Sequence, residues 1–349
     1  MESVAEYVAK GYEYLGAEPR AGQVEVRLHW PGIPQSCPVC KSTKLHSHGW
    51  RRRRVSHAPL GAVKAEIILS FRRGRCQACG KVSSPQLPLL APRQRLSEEL
   101  QRFLRLGVVK LQVTLKRLTD WLGLGWHSIL RSLGSAPDPL AGARPEELAH
   151  LCLDEVFFSQ PSRFMTVLSC ASGRVLGLAN GRGGRPSREL LSALPLEVLE
   201  QVLTLATDFN LGQRQAALSC LPYAEICADH FHLVRLCRQA VRTASAKARP
   251  QVRLAAGELR EILDGTDPDR LTDWLRRWAA TRSSSLRTLH ETVEKWQPEI
   301  ESAITTGRST GPAEALNRKI ALIRRLACGY TNQNNFIQRV LWLNSSPHH

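Results

Sequence analysis

Two short motifs constrain this chain more than any other feature: Cys37-Pro-Val-Cys40 and Cys76-Gln-Ala-Cys79-Gly80, two CxxC pairs separated by 35 residues. That interval is long enough for a hairpin to fold both pairs onto one tetrahedral ion. Four thiolates at about 2.3 Å favour Zn2+ in a closed, structural site. The competing reading, four unrelated thiols, leaves two coincident spacings and the basic residues between them unexplained. The other six cysteines, at 152, 170, 220, 227, 237 and 328, stand singly in mostly apolar surroundings. A disulfide scaffold would be shorter and more regular. His46, His48 and His57 are possible replacements for a cysteine ligand, although loop histidines are more often simply exposed.

Between the two pairs, residues 49–71 read as two strands. In the second, Val63, Ala65, Ile67, Leu69 and Phe71 share one face, and Lys64, Glu66, Ser70 and Arg72 lie on the other. The hairpin carries Arg51, Arg52, Arg53 and Arg54, then Arg72, Arg73 and Arg75. A guanidinium fork suits phosphate oxygens, so a basic ribbon fixed by zinc is expected to grip a duplex backbone in a salt-dependent, mostly sequence-blind way. A solvated charge run is the alternative. Composition favours the first reading. The 349 residues include 48 Lys and Arg against 31 Asp and Glu, a net charge of +17, and residues 1–110 hold 19 against 8. Such a chain is expected to meet a polyanion, mainly through its first third.

The length suggests two or three domains. A hydrophobic fraction of 43% with a mean hydropathy of −0.24 excludes both a disordered chain and a membrane bundle. No stretch approaches the ~20 apolar residues of a bilayer span, and the opening residues carry acids where a signal peptide is basic. A cytoplasmic protein with no membrane partner is expected. Pro-, Ser- and Gly-rich connectors stand at 83–92, 134–145 and 305–312.

From Ser97, followed by Glu98 and Glu99, the pattern turns helical, with Leu100, Phe103, Leu104 and Val108 at 3–4 spacing. A helix over 114–122, a break at Gly123 and Gly125, and a helix over 126–133 make a helix-turn-helix candidate. Lys116, Arg117, His127 and Arg131 are the residues that point to a DNA-facing side. Helix pairs of this kind also occur in many other folds. Beyond 150 the chain reads as a mixed α/β domain, with strands at 150–158, 163–170, 174–180, 201–208 and 224–229 and helices at 186–194 and 211–220. Residues 231–304 read as almost wholly helical, and helices near 312–327 and 332–343 close the chain.

Asp154 interrupts the apolar run from Leu151 to Phe158, where an unpaired charge costs several kcal/mol, so a cationic partner is expected. Asp208 and Asp229 end two further apolar strands, where α/β sheets place their chemistry. Glu314 follows Pro312 in the first turn of a helix whose buried stripe is Ala313, Leu316, Ile320 and Ile323, leaving Glu314, Asn317, Arg318 and Arg325 on another side. Oxygen-only clusters suit Mg2+, and two such ions serve phosphodiester displacement. Each acid also has a structural reading: Asp154 as the buried partner of an arginine, Asp208 and Asp229 as helix N-caps, Glu314 as a capping-box acid.

The ordered blocks CPVC and CQAC, Leu-Asp154-Glu155, Thr-Asp208-Phe, Ala-Asp229-His-Phe-His232, Gly-Pro-Ala-Glu314-Ala-Leu-Asn317 and Cys-Gly329-Tyr330-Thr-Asn332 resemble the ISL-three family of bacterial insertion-sequence transposases over nearly the whole chain. The resemblance implies a multidomain α/β protein. Its RNase-H-like mixed-sheet catalytic core carries a helical insertion and follows a zinc ribbon and a helix-turn-helix region. The implied limits are a zinc ribbon over 1–92, a helix-turn-helix region and linker over 93–145, a core over 146–240, an insertion over 241–304 and the final core helices over 305–349. Asp154, Asp208 and Glu314 match the family's Asp-Asp-Glu triad, which binds Mg2+ or Mn2+. Glu155, Asp229, His232 and Asn317 would orient ligands or DNA. In such a sheet the strand of Asp208 adjoins that of Asp154, and the strand of Asp229 lies one further spacing of ~4.8 Å away. Arg276, Arg277 and Arg282 on the insertion are available for DNA or a second subunit.

The implied activity is cleavage and strand transfer at the ends of a mobile element. The implied partners are double-stranded DNA, as terminal inverted repeats and as target, and further copies of the chain in a synaptic complex, at the bacterial nucleoid. A catalytically silent DNA-binding regulator and a nuclease that cuts without rejoining are the competing readings.

Overall fold

The computed structural model describes residues 2–90, 95–159, 163–327, 330 and 332–344. Cys328, Gly329 and Thr331 of the closing block and the 92/93 limit lie outside the described residues. The chain divides into two compact units, Met1–Gly134 and Ser135–His349.

The first unit opens with α1 (Glu2–Ala9), followed by β1 (Glu13–Arg20), β2 (Gln23–Trp30), β3 (Leu45–Leu60), β4 (Val63–Cys76) and β5 (Val82–Ser83). The sheet order is β1-β2-β4-β3, with β5 beside β4. As the alternation of 63–71 predicts, β3 and β4 form an antiparallel hairpin, with Leu60 paired to Val63. Gly61, at φ 64°, takes the first position of its two-residue turn, a conformation that a Cβ disfavours. Val26, Leu28, Val55, Ile67, Leu69 and Phe71 are buried on one face beneath Tyr7 and Tyr12. The sequence reading assigns no strand before residue 49. β1 is exposed at nearly every position and so carries no alternation, whereas Val24, Val26, Leu28 and Trp30 of β2 do carry one.

Ser97 caps α2 (Glu98–Arg105), its hydroxyl accepting the Leu100 N–H. A π-helical turn over Leu106–Lys110 follows. Then come α3 (Leu115–Leu122), capped by Thr114, a left-handed Gly123 at φ 68°, and α4 (Trp126–Leu133).

The second unit begins with α5 (Pro145–Leu148), β6 (His150–Ser159), β7 (Arg163–Cys170), β8 (Val175–Asn180), α6 (Gly184–Ser192), α7 (Leu196–Leu199), β9 (Thr204–Thr207), α8 (Leu211–Cys220) and β10 (Glu225–Ala228). Its sheet order is β10-β9-β6-β7-β8, antiparallel across β6, β7 and β8 and parallel across β6, β9 and β10. β9 is shorter than the predicted 201–208, because the turn after α7 uses the first of those residues and pairing to β6 begins only at Thr204. α9 (His230–Thr243), α10 (Arg249–Leu263), α11 (Asp269–Trp278), α12 (Ser284–Lys295) and α13 (Gln297–Thr306) form the helical block. Its own core includes Leu259, Trp274, Val293 and Trp296.

α14 (Gly311–Leu326) and α15 (Gln333–Leu341) close the unit. Leu316, Ile320 and Ile323 of α14, with Phe336 and Val340 of α15, pack on Val156, Phe158, Met165 and Val167 of the sheet. The opposite sheet face packs on Leu190, Leu191 and Ala217 of α6 and α8. Phe336 is fully buried, its ring centroid 5.1 Å from that of Phe158. Phe336→Ala is therefore expected to cost about 3–5 kcal/mol, read as a lower urea midpoint at unchanged m-value. A loss under about 1 kcal/mol would show that α15 does not anchor α14 to the sheet.

Candidate functional site

The hairpin delivers the four cysteines to one place. Leu45, at the start of β3, pairs with Cys76 at the end of β4. Each CxxC is a tight knuckle: the Lys41 N–H donates to the Cys37 carbonyl, and the Gly80 N–H donates to the Cys76 carbonyl, both at 3.0 Å. Lys41 and Gly80 hold equivalent left-handed positions, at φ 59° and 70°. The Sγ atoms are 3.5 Å apart for Cys37–Cys79 and for Cys40–Cys76, and all four lie within 4.8 Å of one another. A zinc tetrahedron with bonds of about 2.3 Å has S···S edges of about 3.8 Å, so the donor set fits Zn2+. The Cys40 and Val39 N–H groups hold the Cys37 thiol down to about 6. His57 is not part of the cluster and is not exposed either. It is buried, its Nδ1 2.8 Å from Ser97 Oγ and its Nε2 3.1 Å from a Glu99 carboxylate oxygen.

The arginines divide between the two faces of the hairpin. Arg51 and Arg53 pair with Phe71 and Leu69 and share their face, where Arg53 is half-buried. Arg52, Arg54 and Arg72 lie on the other face. Arg54 is held by Glu66 at 2.8 Å and Glu25 at 3.6 Å. Arg73 is half-buried and Arg75 exposed. On α3, Lys116 pairs with Asp120 at 2.5 Å, while Arg117, His127 and Arg131 are exposed.

In the second unit the register aligns three acids. Leu153 pairs with Thr207, and Thr207 with Ala228. The next residue on each strand is acidic: Asp154, Asp208 and Asp229. Neighbouring parallel strands lie about 4.8 Å apart, so the three acids form a row running from the middle of β6 past the C-terminal ends of β9 and β10. His232, in the first turn of α9, joins two of them, with Nδ1 2.7 Å from Asp208 Oδ1 and 2.5 Å from Asp229 Oδ2. Asp208 and then Asp229 push its pKa up to about 10, so it is an imidazolium at neutral pH. Asp229 also caps α9, accepting the Phe231 and His232 N–H groups at 3.1 and 3.2 Å, so its structural reading holds beside its place in the cluster. Asp208 is no cap; Asn210 caps α8.

Among the described residues, no arginine pairs with Asp154. Its Oδ1 accepts the Glu155 N–H at 2.6 Å and its Oδ2 accepts the Asn317 amide from α14. The nearby cation is His232. Burial, then the Asp208 charge, push the Asp154 carboxyl up to about 7. Asp208 Oδ1 is buried with no aligned hydrogen-bond donor, and so is Asn317 Oδ1. Glu155 Oε1 accepts from the Gly183 N–H, Asn210 Nδ2 and Gln213 Nε2 at 3.1–3.2 Å. Glu314 lies one turn before Asn317 on α14, but its carboxylate turns to Arg318 at 3.1 Å and is 41% exposed. The tight group is thus Asp208, Asp229 and His232, with ligand atoms within 4.8 Å of one another. Asp154 is electrostatically coupled to it, and the Glu314 carboxylate is turned away. Sequence reasoning missed the Asn210 and Gln213 anchors of Glu155. The signal for Asn210 was its position before a helical run, that of an N-cap.

A family model described as transposase, that of the ISL-three family, matches residues 151–266 and 258–340 and so spans the acid row, the helical block and α14. The chain belongs to the ISL-three family. A second model, described as the zinc-finger of transposase IS204/IS1001/IS1096/IS1165, matches residues 33–79 and contains all four cysteines of the cluster. The N-terminal unit of this ISL-three transposase therefore carries a zinc ribbon whose four-cysteine cluster supports a structural Zn2+. The transposase for insertion sequence element IS1001 of Bordetella parapertussis is 23% identical over 381 aligned positions, covering 90% of this chain and 93% of that one. Among the described residues, no helix of this family member is long and apolar enough to cross a membrane.

Proposed function

We propose that the protein cleaves DNA at the ends of an insertion sequence and transfers the freed strand to a target, using Asp154, Asp208 and Glu314 as a metal-binding triad. The observation that carries this reading is the row of acids, one residue past three in-register strand positions, beside a helix whose Asn317 reaches Asp154 and which carries Glu314 one turn earlier, its carboxylate now paired with Arg318. The strand order β10-β9-β6-β7-β8, with two antiparallel and two parallel pairings, supports an RNase-H-like core. The α3-glycine-α4 segment supports a helix-turn-helix. The helical block, with its own core, fits an insertion between the second and third acids.

The donor set suits a divalent cation. It consists of carboxylates, two of them sharing one nitrogen of His232 and a third pushed toward neutrality by burial and by its neighbour's charge, with Asn317 Oδ1 buried beside that third one without a donor. Asp154, Asp208 and Glu314 would hold Mg2+ or Mn2+, which when bound neutralises charge at the phosphodiester and activates the attacking oxygen. The chain's own groups do the positioning. Asn317 fixes one oxygen of Asp154 and the Glu155 N–H fixes the other. His232 orients Asp208 and Asp229 through one nitrogen, while Glu155 braces the turn before α6 and the start of α8. Double-stranded DNA is the expected substrate, and two element ends would require more than one copy of the chain.

The test is a linear duplex carrying the inverted repeat that flanks the reading frame, incubated with the full-length protein. Mg2+-dependent cleavage with joined products on a gel, both lost in EDTA, is the expected result. Binding with neither product would identify a silent regulator, and cutting without joining a nuclease; either overturns the proposal.

A further inference from the structure

The zinc-bearing hairpin contains an irregularity that the DNA-grip reading does not use. Between the pairs Ser47–Gly74 and Trp50–Arg72, two residues of β3, His48 and Gly49, oppose Arg73 alone. Gly49 sits at φ 68°, in the left-handed region. A bulge of this kind re-aims the side chain that follows it, and here that side chain is Trp50, 54% exposed. A large apolar ring left in water at a designed kink calls for an explanation.

Its surroundings supply one. Trp50 lies on the face opposite the core, with His29, Ser70 and Arg72 from the neighbouring strands. The Arg72 guanidinium sits 4.4 Å from the indole centroid, and its Nη1 reaches Ser47 Oγ at 3.5 Å. The His29 ring lies 5.2 Å away, held by Nδ1 at 3.1 Å from the Ser70 carbonyl. The indole is therefore propped in place, which lowers the entropy cost of stacking on it. Two residues along β3 on the same face, about 6.6 Å away, is Arg52, which has no ion-pair partner among the described residues. That interval is one an extended nucleotide can span. Stacked bases inside a duplex present no open face, so a ring with a neighbouring free cation suits an unpaired base and its phosphate.

We propose that Trp50, propped by Arg72 and His29, stacks on an unpaired base of single-stranded DNA while Arg52 pairs with the adjoining phosphate. This rests on the DNA-processing reading above and adds a strand-selective contact to it.

The experiment uses the full-length, zinc-loaded protein and a fluorescein-labelled ten-nucleotide oligo-dT. Binding and cleavage of the inverted-repeat duplex are measured in parallel. Trp50→Ala is expected to weaken the oligo-dT complex about tenfold with an unchanged slope of log affinity against log salt, and Trp50→Phe to recover most of the loss. Arg52→Gln is expected to flatten that slope by about 0.7, the value for one phosphate of a single strand. In the unmodified protein, a probe carrying 5-iodouracil is expected to crosslink on irradiation to the peptide containing Trp50, a result independent of how any variant folds. Unaltered oligo-dT affinity in Trp50→Ala, a Phe variant as weak as Ala, or a crosslink elsewhere would overturn the proposal. If the unmodified protein cleaves its duplex while one of these occurs, only this inference fails; if it neither binds nor cleaves any DNA, the reading beneath it fails.

Discussion

Asp154→Asn is expected to reduce DNA cleavage by about 10³-fold or more while leaving duplex affinity within a factor of about two of the unmodified protein. The substitution is nearly isosteric, and the amide oxygen can still accept one of the two hydrogen bonds that Asp154 receives from the Glu155 N–H and Asn317. It removes a negative charge that burial and Asp208 already disfavour, so the thermal midpoint should stay level or rise. An unimpaired fold with lost chemistry separates a metal-holding acid from a structural one. Single-turnover cleavage at saturating enzyme measures it, and a variant that cuts within tenfold of the unmodified rate would remove Asp154 from the triad.

Cys37→Ser is expected to have the largest effect on the first unit. Structural zinc in small modules contributes about 10–16 kcal/mol of apparent binding free energy at neutral pH. Here the ion would join two knuckles at one end of the β3–β4 hairpin. With one thiolate gone, zinc content by mass spectrometry should fall from about one per chain toward zero. Protease cleavage should appear between β2 and β5, and DNA affinity should drop with it. The second unit has its own cores and should keep its unfolding transition. Full zinc stoichiometry in this variant would contradict the four-thiolate site.

What could be read in advance follows a physical division. The CxxC knuckles, the alternation of 63–71, the Ser97 cap and the stripe Ala313, Leu316, Ile320 and Ile323 are local patterns, and the structure carries all of them. Pairings between distant segments were legible only where a motif or the family resemblance marked them, as for the two CxxC pairs and the strand order of Asp154, Asp208 and Asp229. β2 runs parallel to β4 in the middle of the first sheet, a partnership that depends on which buried faces match across some forty residues. Asp208 and Asp229 were visible as strand endings and Asp154 as a charge inside an apolar run, but their partners were not. The cation expected beside Asp154 is the His232 imidazolium, acting at a distance, while the direct contact comes from the Asn317 amide, which satisfies one carboxylate oxygen without burying a second charge. His232 reaches two carboxylates only because α9 starts at Asp229, a consequence of capping geometry together with sheet register. The partner of Glu314, by contrast, follows from local spacing, as an i,i+4 pair with Arg318.

The alignment of Leu153, Thr207 and Ala228 makes uncharged residues the ruler for charged ones. A slip of one position in β9 would carry Asp208 about 3.3 Å along the strand and turn it to the opposite side of the sheet. Leu205, now fully buried, would then be turned toward the other face. Hydrophobic sorting thus enforces the spacing of the carboxylates, and a conservative change deep in this sheet can imitate the loss of an acid without touching one.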